Sequence, residues 1–138
     1  MEETKDRGWW LPGGFCENTD THFTAAIRET EEEAGIKVKL MGIVRVENSM
    51  NKYGGRQRVI FYAEPEDANQ EPKRIPDAES KGAAWLSLTQ LEEKSRIPPP
   101  EGLRGRELLE WAKYIENGGH IFPLHLLAEE HDPIVMPK

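Results

Sequence analysis

In the run "RETEEEAGI", Arg28 to Ile36, four of the five positions from Glu29 to Glu33 are glutamate. At about 100° per residue, Glu29, Glu32 and Glu33 fall on one face of a helix, with small Ala25 among them, while Glu31 lies apart toward solvent. Like charges at this spacing repel by roughly a few tenths of a kcal/mol per pair. Two readings follow: a solvated acidic face, or a site for a hard divalent cation. Magnesium takes oxygen ligands and commonly keeps waters and substrate phosphates in its shell, so three carboxylates on one face suffice without a closed cage. No histidine or cysteine stands with them, which argues against zinc. Arg28, four residues before Glu32, is placed to orient the group.

Those side chains need a helix and a scaffold. Thr21 to Ala34 reads as the helix, with Thr19, Asp20 or Thr21 as cap and Gly35 as its stop. Its core stripe is Phe23, Ala26, Ile27, Thr30 and Ala34. "GWWLPGGF" reads as a short strand entering a glycine turn before that helix. "IKVKLMGIVRVEN" reads as one or two strands, "NSMNKYGG" as a turn and "RQRVIFYAEP" as another strand. Glu64 to Lys81 is a polar, proline-bearing loop, long enough to suspect function. "GAAWLSL" reads as a last strand, "TQLEEKS" as a short helix and "RIPPPEG" as a stiff connector. Leu103 to Asn117 is an amphipathic helix with Leu108, Leu109, Ala112 and Ile115 in one stripe.

The chain has 138 residues, 37% apolar and 31% charged, which suits one globular domain spanning residues 1–138. A net charge of −7 argues against a nucleic-acid-coating surface. It leaves room for a phosphorylated ligand, since a bound cation reverses the local sign. The single cysteine, Cys16, has no internal disulfide partner. No apolar run is long enough to span a bilayer, and the charged start "MEETKDRG" is no signal peptide. The expectation is a cytoplasmic protein that does not engage membranes.

From Gly14 five residues intervene before Asp20, seven more before Arg28, and the run then reads Arg-Glu-Thr-Glu-Glu-Glu-Ala-Gly-Ile. This resembles the signature of the Nudix hydrolases, G-x5-E-x7-R-E-U-x-E-E-x-G-U, where U is a bulky aliphatic residue. Seven of the nine specified positions match over 23 residues, Asp20 replacing a glutamate and Thr30 an aliphatic residue. The resemblance implies an α/β fold, a Nudix-like α/β/α sandwich with a mixed β-sheet. It also implies hydrolysis of a diphosphate linkage in a nucleoside diphosphate derivative or related compound, with magnesium as cofactor and manganese able to substitute. Glu29, Glu32 and Glu33 would be ligands, joined by the carbonyl of Gly13. Arg28 would hold the glutamates, with Asp20 as a shorter and looser partner, and Thr30 would bond back to a backbone carbonyl. The rival reading keeps the fold as a catalytically weak module that binds a nucleotide or a protein partner.

Outside the motif, Glu79 stands six residues before Trp85, where several Nudix branches carry an extra ligand or general base; Asp77 is the next candidate and an ordinary loop acid the alternative. On the substrate side, Trp9 or Trp10 could stack on a base, or anchor a strand. Arg56 and Arg58 share one face of a strand and could meet phosphates, or lie on a solvated face. His22, His120, His125 and His131 show no compact ligand spacing. Nudix domains usually carry one or two strands before the motif, and only twelve residues precede Gly13 here. Three devices could cover the resulting edge: the apolar tail "IFPLHLL", a second copy of the chain in a homodimer, or an earlier natural start.

Overall fold

A computed structural model describes all 138 residues. Helix α1 (His22–Ala34) leads into the hairpin β1 (Val38–Asn51) and β2 (Gly54–Pro65); after a long loop come α2 (Leu88–Ser95) and α3 (Glu107–Glu116). The hairpin is antiparallel throughout, from Val38 opposite Pro65 to Asn51 opposite Gly54. The strands run through most of the stretch expected as a turn, which shrinks to Lys52 and Tyr53. Two register shifts, between Leu40 and Gly42 and between Ile43 and Arg45, interrupt the pleat. Such bulges break strict inside–outside alternation, and here they bury Gly42, Ile43 and Val44 in succession.

The hairpin is the middle layer. On one side Ala34, Ile36 and Val38 pack with Leu40, Ala63 and Ala83. On the other, Val44 and Ile60 meet Trp111 of α3, with Trp10, Tyr62 and Ile115 around them. Trp111, and not one of the four apolar residues expected to make the stripe of α3, is that helix's one fully buried side chain. The rest of the sheet is only one bridge deep. Glu2 bridges Gly82 and Trp9 in antiparallel fashion, and Trp9 bridges Leu103 in parallel, so the mixed character expected of the sheet resides in isolated bridges.

Three expectations are corrected. "GAAWLSL" is not a strand: beyond the Gly82 bridge the segment runs extended to the α2 cap at Ser87. Its outward residues Ala84 and Trp85 are exposed, and no neighbour continues the ladder. "GWWLPGGF" likewise contributes only the bridges at Trp9, since Pro12 has no N–H to donate and two glycines follow. The third concerns α1, whose buried residues are Ala25, Glu33 and Ala34, while Ile27 is 37% exposed. The helix touches β2 through Phe23 and Phe61, ring centroids 5.6 Å apart, and the core again at Ala34. Between those points its buried side faces the Gly13 turn and Ser80. The tail meets β1 at one position: Ile43 and Phe122 exchange two backbone hydrogen bonds of 2.8 Å.

Candidate active site

The N-terminus of α1 is closed by a reciprocal cap. The Thr21 hydroxyl accepts from the Thr24 N–H at 3.2 Å, and the Thr24 hydroxyl accepts from the Thr21 N–H at 2.9 Å. Just before it, the Asp20 carboxylate accepts from the Thr24 hydroxyl at 3.0 Å and the Glu17 N–H at 3.0 Å. It also accepts from Arg28 Nη2 at 2.7 Å, so the shorter acid does not give the looser contact its length suggested. Asp20 sits at the helix entry, where its other bonds bring it within reach. Arg28 then donates through Nη1 to Glu29 Oε1 and Glu32 Oε2, each at 3.2 Å. The Arg28 hydrogen bond holds the Asp20 carboxyl below its usual range, and the same bond raises Arg28. Thr30 bonds back to the Ala26 carbonyl at 2.7 Å, as its position on the helix implies.

The Glu29, Glu32 and Glu79 carboxylates converge: one oxygen from each lies within 4.8 Å of the others. Glu79 arrives from the loop before Gly82, from the sequence segment that singled it out. Burial raises the Glu29 carboxyl; Arg28 opposes this, and the Glu32 and Glu79 charges add to it. The trio's three carboxylates meet only one guanidinium, Arg28, which touches Glu29 and Glu32 and is shared with Asp20, an excess of negative charge that a divalent cation offsets. An all-oxygen donor set with no nitrogen or sulfur fits magnesium or manganese.

Two of the expected ligands, Gly13 and Glu33, are joined by a bond that leaves the Gly13 carbonyl and one Glu33 oxygen unused. Glu33 is 7% exposed, and its Oε2 accepts the Gly13 N–H at 2.8 Å. Burial pushes its carboxyl up to about 7; the Gly13 bond works against that shift. Glu33 therefore clamps the Gly13–Gly14 turn onto α1 through one oxygen, with the Glu29 charge close enough to add to its upward shift. That turn is tight: a Cβ on Gly14 would lie 2.4 Å from Glu29 Oε1. We expect Gly14→Ala to keep its melting temperature within a few degrees, because the flexible end of Glu29 yields, and to weaken Mn²⁺ binding about tenfold. Calorimetric titration checks this.

Asp77 is engaged within its own loop. Its Oδ2 pairs with Lys73 Nζ at 2.6 Å, and its Oδ1 accepts the N–H groups of Glu79 at 2.8 Å and Ser80 at 3.2 Å. Lys73 above all, then those N–H bonds, hold its carboxyl low.

Of the residues expected on the substrate side, Trp9, Trp10 and Arg58 have partners of their own. The Trp9 ring carries Lys94 Nζ at 4.6 Å over its face. Trp10 packs edge-on against Trp111 at 5.5 Å and belongs to the core. Arg56 and Arg58 do share a face, lining a cleft of about 360 Å³ with Arg45, Glu47, Asn48 and Ser49. Arg58 donates to Glu47 at 2.6 and 2.9 Å and Arg45 donates to it at 2.8 Å. Arg58 also sits 5.3 Å from the Trp111 ring, which puts this cleft on the α3 side of the hairpin. Neither Trp9 nor these arginines make a hydrogen bond or ion pair with the carboxylate trio.

Sequence patterns gave no sign of Lys73 or Ser80, each of which touches α1, whereas Gly14 stands at the first position of the motif. Lys73 and Ser80 lie in an irregular loop without periodicity, and their only local signal is the i, i+4 pairing of Lys73 with Asp77.

With this geometry in place, the family match is direct. The model of the NUDIX domain matches residues 2–112. The chain belongs to the Nudix domain family. A human protein named 8-oxo-dGDP phosphatase NUDT18 is 32% identical over 101 residues, covering 73% of this chain and 28% of that protein. Its mouse counterpart is 29% identical over 125 residues, covering 88% of this chain and 35% of that protein. Nudix hydrolase 8 of Arabidopsis thaliana is 28% identical over 90 residues, 64% of this chain and 24% of that protein. The chain thus spans about a quarter to a third of the length of these relatives. No helix is long and apolar enough to cross a membrane.

Proposed function

We propose that this domain hydrolyses a diphosphate linkage in a nucleoside diphosphate derivative, with magnesium, or manganese in its place, held by Glu29, Glu32 and Glu79. The observation that carries the reading is the approach of one oxygen from each of these residues to within 4.8 Å of the others. Magnesium, when bound, neutralises phosphate oxygens and supplies Lewis acidity. The protein's own groups do the rest. Arg28, anchored on Asp20, fixes the rotamers of Glu29 and Glu32. Glu33 holds the Gly13–Gly14 turn against them, and that turn offers the Gly13 carbonyl, which accepts no backbone hydrogen bond. Glu79, on an exposed stretch of loop, gives one oxygen to the donor set and keeps the other to accept the proton of the attacking water. That water's oxygen bonds to phosphorus as the bridging P–O bond breaks. Trp9, Arg56 and Arg58 are assigned to the part of the substrate remote from the scissile bond.

The names of the relatives make 8-oxo-dGDP the first substrate to try. The test sets it beside ADP-ribose, dinucleoside polyphosphates, sugar nucleotides and diphosphoinositols, with Mg²⁺, Mn²⁺ or EDTA. Cation-dependent release of phosphate or a nucleotide product from at least one is expected. Binding of a nucleotide without turnover under any cation would replace the hydrolase by the binding module.

A further inference from the structure

We propose that Lys73 and Ser80 are positioning residues for Glu79, fastening its loop to the last turn of α1 so that the carboxylate meets Glu29 and Glu32. The proposal rests on the reading of that trio as a cation site. A ligand on an irregular loop is useful only if its support fixes it to within about half an ångström. The support is visible here. The last carbonyls of a helix lack intrahelical donors, and the loop supplies three of them. Lys73 Nζ donates to the Glu32 carbonyl at 2.7 Å, the Ser80 hydroxyl to the Glu33 carbonyl at 2.5 Å, and the Lys73 N–H to the Ala34 carbonyl at 2.8 Å.

The two side chains are joined to each other as well. Lys73 Nζ reaches Ser80 Oγ at 3.3 Å and Asp77 Oδ2 at 2.6 Å, so all three of its protons are engaged. Ser80 has no exposed surface, and the Lys73 side chain is only 13% exposed. Gly35, with φ of 72°, lets the loop lie close: a Cβ there would meet Lys73 N and Cβ at 3.3 Å. Asp77 shapes the turn through the Glu79 and Ser80 N–H groups. Glu79 is thus one peptide away from a residue pinned to the helix that bears Glu32.

A plain helix cap would show some of the same contacts, because a cation at a helix C-terminus is stabilising in itself. The sign of the effect on cation affinity separates the two roles. Removing the Lys73 charge from the loop–helix junction next to Glu32 can only strengthen cation binding by electrostatics. Releasing Glu79 weakens it. The experiment is calorimetric Mn²⁺ titration of the full chain as wild type, Lys73→Met, Ser80→Ala and Glu79→Gln, with both double variants carrying Glu79→Gln, and melting curves for each. Lys73→Met and Ser80→Ala are each expected to weaken Mn²⁺ about tenfold or more, and to add no weakening once Glu79 is glutamine. Ser80→Ala is neutral and small, so it carries the test if Lys73→Met does not fold. Tighter or unchanged Mn²⁺ binding in Lys73→Met or Ser80→Ala, or losses that add in full to that of Glu79→Gln, overturn the proposal. Unchanged affinity in Glu79→Gln itself would instead remove Glu79 from the cation site.

Discussion

Glu32→Gln and Glu79→Gln are each expected to lower kcat at least a hundredfold, with KM moving far less. A hundredfold is about 2.7 kcal/mol of transition-state free energy, within the several kcal/mol that a divalent cation contributes to phosphoryl chemistry. Both substitutions remove a charge from the converging trio while keeping the side chain's shape. Glu31→Gln is the control: Glu31 is exposed on the same helix and forms no ion pair, so steady-state rates and Mn²⁺ affinity should match wild type. Asp77→Asn keeps an oxygen for the Glu79 and Ser80 N–H groups and loses only the Lys73 pair, so its effect should be the smaller one. A fall of less than about tenfold in Glu32→Gln, with cation affinity unchanged, would reject the assignment. A silent Glu79→Gln paired with a damaging Asp77→Asn would move the role to Asp77.

Glu33→Gln should separate stability from activity. The Glu33 carboxyl is raised by burial from 4.5 to about 7 in the fold. Between those values the folded chain holds a proton that the unfolded chain has released. Stability is therefore greatest below the unfolded value and falls as pH rises toward 7, where the buried charge costs most. Glutamine keeps an oxygen for the Gly13 N–H and carries no charge. In EDTA, the variant should melt near the wild-type temperature at pH 5 and roughly 5 °C above it at pH 8. Turnover should still drop more than about tenfold, because the negative charge next to Glu29 is lost from the field around the site. Melting differences that stay constant across pH would show that the Glu33 charge is not what destabilises the fold.

Local signals made much of the frame legible. Thr21 caps α1, Gly35 ends it in the left-handed region, and the hairpin and α2 fall close to where their patterns place them. The spacing that links Asp20, Arg28, Glu29 and Glu32 survives as hydrogen bonds because all four sit on or beside one helix. What could not be read is set by contacts distant in sequence. Helical spacing puts Glu33 with Glu29 and Glu32 but cannot show that the Gly13 N–H bonds it or that the helix turns Ala25 and Glu33 inward. "GAAWLSL" has the composition of a strand, but a strand also needs a neighbour, which only the fold can supply. Lys73 and Ser80 follow no periodic pattern because their partners are the backbone of a helix some forty residues earlier.

Glu79 follows Glu32 by 47 residues, so the trio unites two distant points of the chain. Closing a loop of that length costs on the order of 3–4 kcal/mol of configurational entropy, and the carboxylates it gathers repel one another. A cation seated among them acts as a removable staple. It binds only the closed form, and so shifts the folding equilibrium by RT ln(1 + [cation]/Kd). How much of this domain stands folded, and how long its open loop survives a protease, would then follow the concentration of the ion proposed for its chemistry.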